Sequence, residues 1–259
     1  MRCVSWNVNG LRAVAGKGFL RWLADTAPDV CCLQETKARE SDLPLELREP
    51  KGYRLRLQPG IKKGYSGVGL YVREEPDEWL EGLGDAPFDD EGRFLAARYG
   101  DVIVASAYFP NSQEKGARIE YRLAFGDALQ RFLLAQRARG RHVVLGGDYN
   151  VAHEEIDLAR PRENTGNPGF LPAERAWMSA FLAAGFVDVW RARNPGTVGY
   201  SWWSMRTNAR ARNIGWRLQH AHWSDPIEKA GHTDSARSRD ASAIPVARDA
   251  VQNAIDTGQ

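Results

Sequence analysis

Hydrophobic and polar positions along the chain fall into short alternating or wholly apolar runs, interrupted by a few longer runs of helical period. Arg2 to Val8 alternates and stops at Asn-Gly, which predicts a strand ending at Asn7–Asn9. Phe19, Leu20, Leu23 and Ala24 share one helical face and stop before Pro28. Val30 to Leu33 and Val68 to Val72 are solidly apolar and predict buried strands, with an alternating strand over Tyr53 to Leu57 between them. Ser41-Asp42 predicts a cap for a brief helix at Leu43–Leu47. Asp89-Asp90-Glu91-Gly92 and Gly100-Asp101 read as turns feeding strands at Phe94–Tyr99 and Val102–Ala107. From Arg118 to Arg139, Ile119, Leu123, Phe125, Leu129, Phe132 and Leu133 trace the best helical face in the chain. A strand over Val143–Leu145 follows, then a polar loop from Ala152 to Gly169 and a helix over Pro172–Ala184, with Pro in its first turn. Short strands are predicted at Val187–Val189 and Thr197–Trp203.

Hairpins mixed with a few helices favour an α/β fold of two packed mixed β-sheets flanked by helices, a four-layer α/β sandwich, over a purely parallel sheet. The stretch His142–Asn150, H-V-V-L-G-G-D-Y-N, is its centre of interest. Gly146 and Gly147 remove side chains where the strand is expected to end, so the backbone can turn and something can come close. Asp148 and Asn150, two apart, then point to one side of an extended segment. Polar turn chemistry accounts for such a pair equally well when it is taken alone.

At 259 residues with 43% hydrophobic content, the chain can bury a core without disulfide staples. Its three cysteines (Cys3, Cys31, Cys32) make no disulfide framework and suit a reducing cytosol. No apolar signal core opens the chain and no stretch is long enough to span a bilayer, so no membrane partner is expected. The net charge of +2 confines any nucleic-acid footprint to a local patch. One candidate is Met205–Arg217, with Arg206, Arg210, Arg212 and Arg217 and no acid.

Four strand ends carry polar groups: Asn7 with Asn9, Glu35, Tyr108 with Asn111, and Asp148 with Asn150. Each singly is ordinary turn chemistry; together they suit one cleft at a sheet edge. Phosphodiester hydrolysis fits them. Glu35 and Asn7 offer oxygen to a hard divalent cation, Asn150 and Tyr108 offer donors to phosphate oxygens, and Asp148 can take a proton from water.

These residues resemble the exonuclease III family of abasic-site endonucleases, within the deoxyribonuclease I-like metal-dependent phosphoesterase fold. The matching blocks are S-W-N-V-N-G-L-R (5–12), L-Q-E-T-K (33–37), G-Y-S-G-V-G-L (64–70), Y-F-P-N (108–111) and G-D-Y-N-V-A-H-E-E-I-D (147–157). G-F-L-P-A-E-R (169–175) and N-A-R-A-R-N-I-G-W-R-L (208–218) complete the series in order. The resemblance implies Mg²⁺, or Mn²⁺ in its place, at Asn7 and Glu35, with Tyr108, Asp148 and Asn150 catalytic at the scissile phosphate. It implies DNA contacts from Asn111, Asn164 and Asn167, and an apolar slot of Trp202, Trp216 and Leu218 for an extrahelical abasic sugar. The flanking arginines would then hold backbone phosphates. For the tryptophans, ordinary core packing is the plain alternative. The implied substrate is double-stranded DNA with abasic sites or 3′ ends, incised 5′ to the abasic site with 3′→5′ exonuclease activity beside it, and the implied state is a monomer.

The resemblance breaks after Leu218. Where the family places an aspartate opening an apolar strand, this chain has Gln219-His220-Ala221-His222, and no strand is predicted there. The family's terminal Ser-Asp-His-x-Pro-Val is matched only by Ala241-Ser242-Ala243-Ile244-Pro245-Val246, with Ser242 and Ala243 in place of the Asp-His pair. The chain is therefore divided into a catalytic domain over 1–218 and a divergent segment over 219–259, poorly ordered or an incomplete completion of the same domain. A replaced or frame-shifted terminus, a divergent but folded end using Ala243–Val251, and a rearranged site recruiting His220, His222 or His232 rank in that order. The expectation is a weakened nuclease. An abasic-DNA-binding protein without chemistry is the alternative. A phosphoinositide or sphingolipid phosphoesterase fits the tryptophan slot and arginines less well.

Overall fold

The computed structural model describes residues 1–205 and 208–224. Arg206, His232, Ser242, Ala243 and the Ala243–Val251 stretch lie outside the described residues. Strands β1 (Cys3–Asn7), β2 (Val30–Gln34), β3 (Arg54–Gln58) and β4 (Val68–Val72) form a mixed sheet in the order β1-β2-β4-β3. The second sheet contains β5 (Glu78–Glu81), β6 (Phe94–Tyr99), β7 (Val102–Tyr108), β8 (His142–Asp148) and β9 (Val187–Asp188). Strands β10 (Trp202–Trp203) and β11 (Gly215–Trp216) pair only with each other, and β12 (Gln219–Trp223) enters the second sheet, whose order is β5-β6-β7-β8-β12-β9.

The sheets pack face to face through Cys32, Val68, Leu70, Leu95, Val104 and Val144. The outer face of the first sheet is covered by the helix Phe19–Thr26, through Phe19 and Leu23 against Cys31, Leu33 and Tyr71. The outer face of the second is covered by the helices Ile119–Ala138 and Pro172–Ala183, through Phe125, Leu129, Leu133, Met178 and Phe181. This is the four-layer sandwich expected from the pattern.

Some local expectations shift. The helix expected at Leu43–Leu47 starts after Pro44 and runs Leu45–Arg48, while Glu40–Asp42 forms a tight turn before it. The turn expected at Asp89–Gly92 is entered through a helical turn, Ala86–Asp89, whose Asp89 carboxylate accepts the amides of Leu83, Gly84 and Asp85. The two glycines of β8 lie inside the strand, not past its end. A Cβ on Gly146 would stand 2.8 Å from Ser5 Cβ of the facing sheet, and one on Gly147 would stand 2.6 Å from the Ala107 carbonyl. Close approach of sheet and neighbouring strand, not a turn, is what demands glycine here.

The largest correction concerns the segment after Leu218, where no strand was expected. Gln219–Trp223 is β12, antiparallel to β8 with Gln219 opposite Asp148, and antiparallel to β9 with His222 opposite Asp188. Its alternation is inverted relative to an apolar strand: His220 and His222 are the buried residues, facing Tyr149, Phe181 and Asp188.

Candidate active site

The site is assembled where two parallel strand pairs end together. Asn7 of β1 is level with Gln34 of β2, and Tyr108 of β7 is level with Asp148 of β8. Parallel pairing puts the C-terminal ends of both members of each pair at one edge, so packing the sheets together brings four polar ends into one cleft. The chain leaves these strands in the left-handed region: Glu35 at φ +58°, Lys37 at +52°, Asn9 at +46° and Asn150 at +48°. Asparagine tolerates this conformation; glutamate and lysine adopt it at a cost of order 1–3 kcal/mol each. The loops around them are held by the hydrogen bonds that Gly10 N and Leu11 N donate to the Glu35 and Thr36 carbonyls, and Lys37 N to the Ser66 carbonyl.

At the strand ends the Asn7 side chain joins the two sheets. Asn7 Nδ2 donates to Glu35 Oε2 at 3.0 Å and to Asp148 Oδ2 at 2.7 Å, while Asn7 Oδ1 accepts the Asn9 amide. Lys37 Nζ lies 2.9 Å from Glu35 Oε1 and donates to Asn9 Oδ1. On the far side, Asp148 Oδ1 accepts the Asn150 amide at 2.9 Å, and Asn150 Nδ2 donates to the Phe109 carbonyl at 2.9 Å. Beneath the cleft, Gln34 Nε2 donates to Ser106 Oγ and Ser5 Oγ, a buried polar layer between the sheets that fixes their register at the site.

Asp148 is only 3% exposed, and burial pushes its carboxyl above the ordinary carboxylate value. Hydrogen bonds from Asn7, the Asn150 amide and the Gln219 side chain pull it back down. Burial, with Glu35 and Asp148 nearby, also raises the Tyr108 hydroxyl, so it stays protonated. The buried Arg93 donates to the Tyr108 carbonyl at 2.8 Å and lies over the Tyr108 ring. Asp148 is thus a buried carboxylate with a raised proton affinity, and Tyr108 a protonated hydroxyl near it.

The donor set fits a hard divalent cation. Glu35 and Asp148 both accept from Asn7 Nδ2, so two carboxylates stand close enough to serve one ion, while Asn7 Oδ1, which accepts the Asn9 amide, would reach it only with the amide turned over; oxygens of this kind are the ligands such ions prefer. Asn7 and Glu35 would hold it.

The remaining expected residues fall in two groups. Trp202 and Trp216 are paired opposite each other across β10 and β11, which puts both on one face. Trp202 is 43% exposed, whereas Trp216 packs on Phe170 and beside Gly169. Leu218 is buried, its carbonyl accepting the Tyr149 amide. Asn111 is exposed and its Oδ1 accepts the Gln113 amide in a turn. Asn164 closes the helical turn Pro161–Asn164 with a bond from Nδ2 to the Arg160 carbonyl, and Asn167 Nδ2 donates to Asn164 Oδ1. Asn164 and Asn167 therefore form one polar ridge, set on a loop apart from the strand ends.

Arg210 and Arg212 are exposed, but Arg217 is not the phosphate contact expected of it. It is buried, with Nε 2.8 Å and Nη2 3.1 Å from the two oxygens of Asp157 and Nη2 2.8 Å from Asp188 Oδ2. Arg191 also pairs with Asp157. Two buried carboxylates required a cation, and the sequence shows only an arginine in a basic run. His220 and His222 do not substitute for a lost histidine either. They bond to Asp188, the Val151 carbonyl and Tyr149 on the helix-facing side of the sheet, away from Asp148. The residue that does reach Asp148 is Gln219, which carried no assigned role; its signal was only its position directly after the Arg-Leu pair.

Comparison with known proteins places this geometry in context. The model of the Endonuclease/Exonuclease/phosphatase family matches residues 4–234. An exodeoxyribonuclease of Bacillus subtilis is 42% identical over 231 residues, covering 88% of this chain and 90% of its own. The DNA repair nuclease APEX1 of Danio rerio is 40% identical over 223 residues, 85% of this chain and 72% of its own. An AP endonuclease from Archaeoglobus fulgidus superposes with a TM-score of 0.76 at 28% identity, over 85% of this chain and 86% of its own.

Proposed function

The chain belongs to the endonuclease/exonuclease/phosphatase family and is a hydrolase of the exodeoxyribonuclease and AP endonuclease type, and from that premise we propose that it is a Mg²⁺-dependent DNA repair phosphodiesterase that incises 5′ to abasic sites. Mn²⁺ is the expected substitute ion, 3′→5′ exonuclease activity on duplex ends the expected second activity, and a monomer in the cytosol, at the nucleoid, the expected setting. Among the described residues no helix is long and apolar enough to cross a membrane. The observation that carries the reading is the single Asn7 amide shared by Glu35 and Asp148, which unites an oxygen-rich cation position with a buried base.

In this reading Asn7 and Glu35 would hold a divalent cation, which when bound would supply positive charge to offset the negative charge building on the phosphate. Asp148 orients water and accepts its proton as the water oxygen bonds to phosphorus. The P–O3′ bond breaks and its electron pair stays on the 3′ oxygen, which takes a proton from solvent to become a hydroxyl. Asn150, aimed by the Phe109 carbonyl, and the Tyr108 hydroxyl offer donors to the charge that builds on the phosphate. Trp202, Trp216 and Leu218 receive the flipped, baseless sugar, which is small enough to enter and cheap to unstack. Asn111, Asn164 and Asn167 hold the strand beside it, and Arg210 and Arg212 meet backbone phosphates.

The expected weakening has two sources: the missing terminal Asp-His pair, whose places Ser242 and Ala243 lie outside the described residues, and position 219. Gln219 occupies the place beside Asp148 where the family carries an aspartate, and its side chain bonds to the Asp148 carboxylate. A donor on the base competes with the water that the base must bind. Losing one positioned charge-stabilising group costs about 10²–10³ in rate, and turnover that far below an intact relative is expected. The test is incision of an abasic duplex in Mg²⁺ and in EDTA. Metal-dependent product at reduced rate supports the reading. Tight binding of the abasic duplex with no cleavage above the EDTA control converts it into the binding-only alternative.

A further inference from the structure

On the helix-facing side of the six-stranded sheet, directly behind the catalytic strand end, three buried donors converge. Asp188 ends β9, while His220 and His222 lie two apart on β12 and so point to the same face. One ligand atom from each of the three lies within 4.8 Å of the others. No step of the proposed hydrolysis uses them.

The surrounding hydrogen bonds dispose the two imidazoles for ligation. His220 Nε2 is 2.9 Å from the Val151 carbonyl, which can only accept, so Nε2 carries the proton. The lone pair of a neutral His220 is then on Nδ1, 3.3 Å from Asp188 Oδ2. That contact is closed either by a proton on Nδ1, in an imidazolium, or by a metal ion between Nδ1 and Oδ2, an oxygen that Arg217 also reaches. His222 Nδ1 is 2.7 Å from Tyr149 Oη, and with Nδ1–H donating to that oxygen the lone pair is on Nε2. His222 Nε2 is fully buried and has no hydrogen-bond partner. Such an orphan is expensive to leave unmade.

We propose that Asp188 Oδ2, His220 Nδ1 and His222 Nε2 form a buried site for a divalent transition metal of the Zn²⁺ class, separate from the oxygen-rich position at Asn7 and Glu35. Two imidazoles and one carboxylate suit Zn²⁺, Co²⁺ or Ni²⁺ far better than Mg²⁺, which prefers oxygen and retains its waters. Each histidine has its second nitrogen engaged, by the Val151 carbonyl and by Tyr149, which is how ligating histidines are ordinarily oriented. A tetrahedral ion at about 2.0–2.2 Å from its donors would hold them about 3.4 Å apart, so the cage closes by side-chain rotation on binding. Arg217 Nη2, 2.8 Å from Asp188 Oδ2, does not block this. A carboxylate offers about four lone-pair sites, and Asp157 pairs with the rest of the guanidinium. A water completes the fourth position. The ion would pin β12 to β9.

The test uses the full chain stripped with chelator and then loaded with Zn²⁺ or Co²⁺ in excess Mg²⁺, which keeps the oxygen-rich position filled. The expected result is one retained Zn²⁺ per chain after gel filtration, the intense visible absorption of tetrahedral Co²⁺, and a Zn²⁺-dependent rise in melting temperature. His222→Gln should lower Zn²⁺ affinity at least tenfold, and Glu35→Gln should leave it unchanged. Failure of the wild-type chain to retain Zn²⁺ would overturn the proposal, a result that holds even if His222→Gln does not fold. Retention equal to wild type in a folded His222→Gln chain, or loss in Glu35→Gln, would overturn it as well.

Discussion

Glu35 sits at φ +58° directly after β2, bonded to Lys37 and Asn7 and close enough to Asp148 to raise its proton affinity. A side chain held in a conformation that favours glycine, beside a like charge, costs stability, and the proposed cation-binding role would account for that cost. Glu35→Gly should therefore raise thermal stability in the absence of divalent cation by about 1 kcal/mol, roughly 2–4 °C in Tm, while incision activity is lost. A lower Tm would show that the backbone there is unstrained. Gln219 makes a second residue-scale prediction. Its hydrogen bond stabilises the charged form of Asp148, so Gln219→Leu should raise the Asp148 proton affinity. The acidic limb of the pH–rate profile should then move to higher pH. An unmoved limb would detach Gln219 from the base. The proximity of Asn7, Glu35, Tyr108, Asp148 and Asn150 is legible in the sequence because each stands at or just past the end of an apolar strand, and that of Gln219 is not because only strand register brings it to Asp148.

Among elements, the long amphipathic helix Ile119–Ala138 and the apolar strands β2, β4 and β8 declare themselves by period and composition. Strand β12 does not. Its buried face is histidine, and histidine goes inside only because Asp188, Val151 and Tyr149 wait there, partners contributed by distant stretches of chain. Arg217 was misread for the same reason: a basic run looks alike whether its members meet solvent or two buried carboxylates. Arg217→Met should cost about 3–5 kcal/mol in a denaturant titration, since it leaves Asp157 and Asp188 buried without their shared cation. An exposed phosphate-binding arginine would cost almost nothing. The sheet interface predicts likewise: Gly146→Ala, with its new Cβ 2.8 Å from Ser5 Cβ, should destabilise by about 1–3 kcal/mol.

At the scale of the whole molecule, the buried ionisable groups behind β8 set how the fold responds to acid. Burial pushes the His222 imidazole down from 6.5 to about 3, so between these values the unfolded chain takes up a proton that the folded chain refuses. Although burial alone would raise Asp157, its bonds to Arg217 and the nearby charges bring it from 3.8 down to about 2. Both folded values are depressed, so both contributions are present above the unfolded values and lost as pH falls. In EDTA, stability should decline by about 1.4 kcal/mol per pH unit between roughly pH 6 and 4 from His222, and Asp157 adds to the decline only below about pH 4. His222→Gln should flatten the upper part. Stability independent of pH across that window would contradict the burial of a neutral His222.

The central claim, that two sheet edges join a cation position to a buried base that cleaves DNA beside a missing base, is tested most directly by incision of a duplex carrying one abasic site. Product with a 3′-hydroxyl should appear in Mg²⁺, vanish in EDTA, and fall at least about 10²-fold in Asp148→Asn. Product that is indifferent to EDTA, or that persists undiminished in Asp148→Asn, would contradict it.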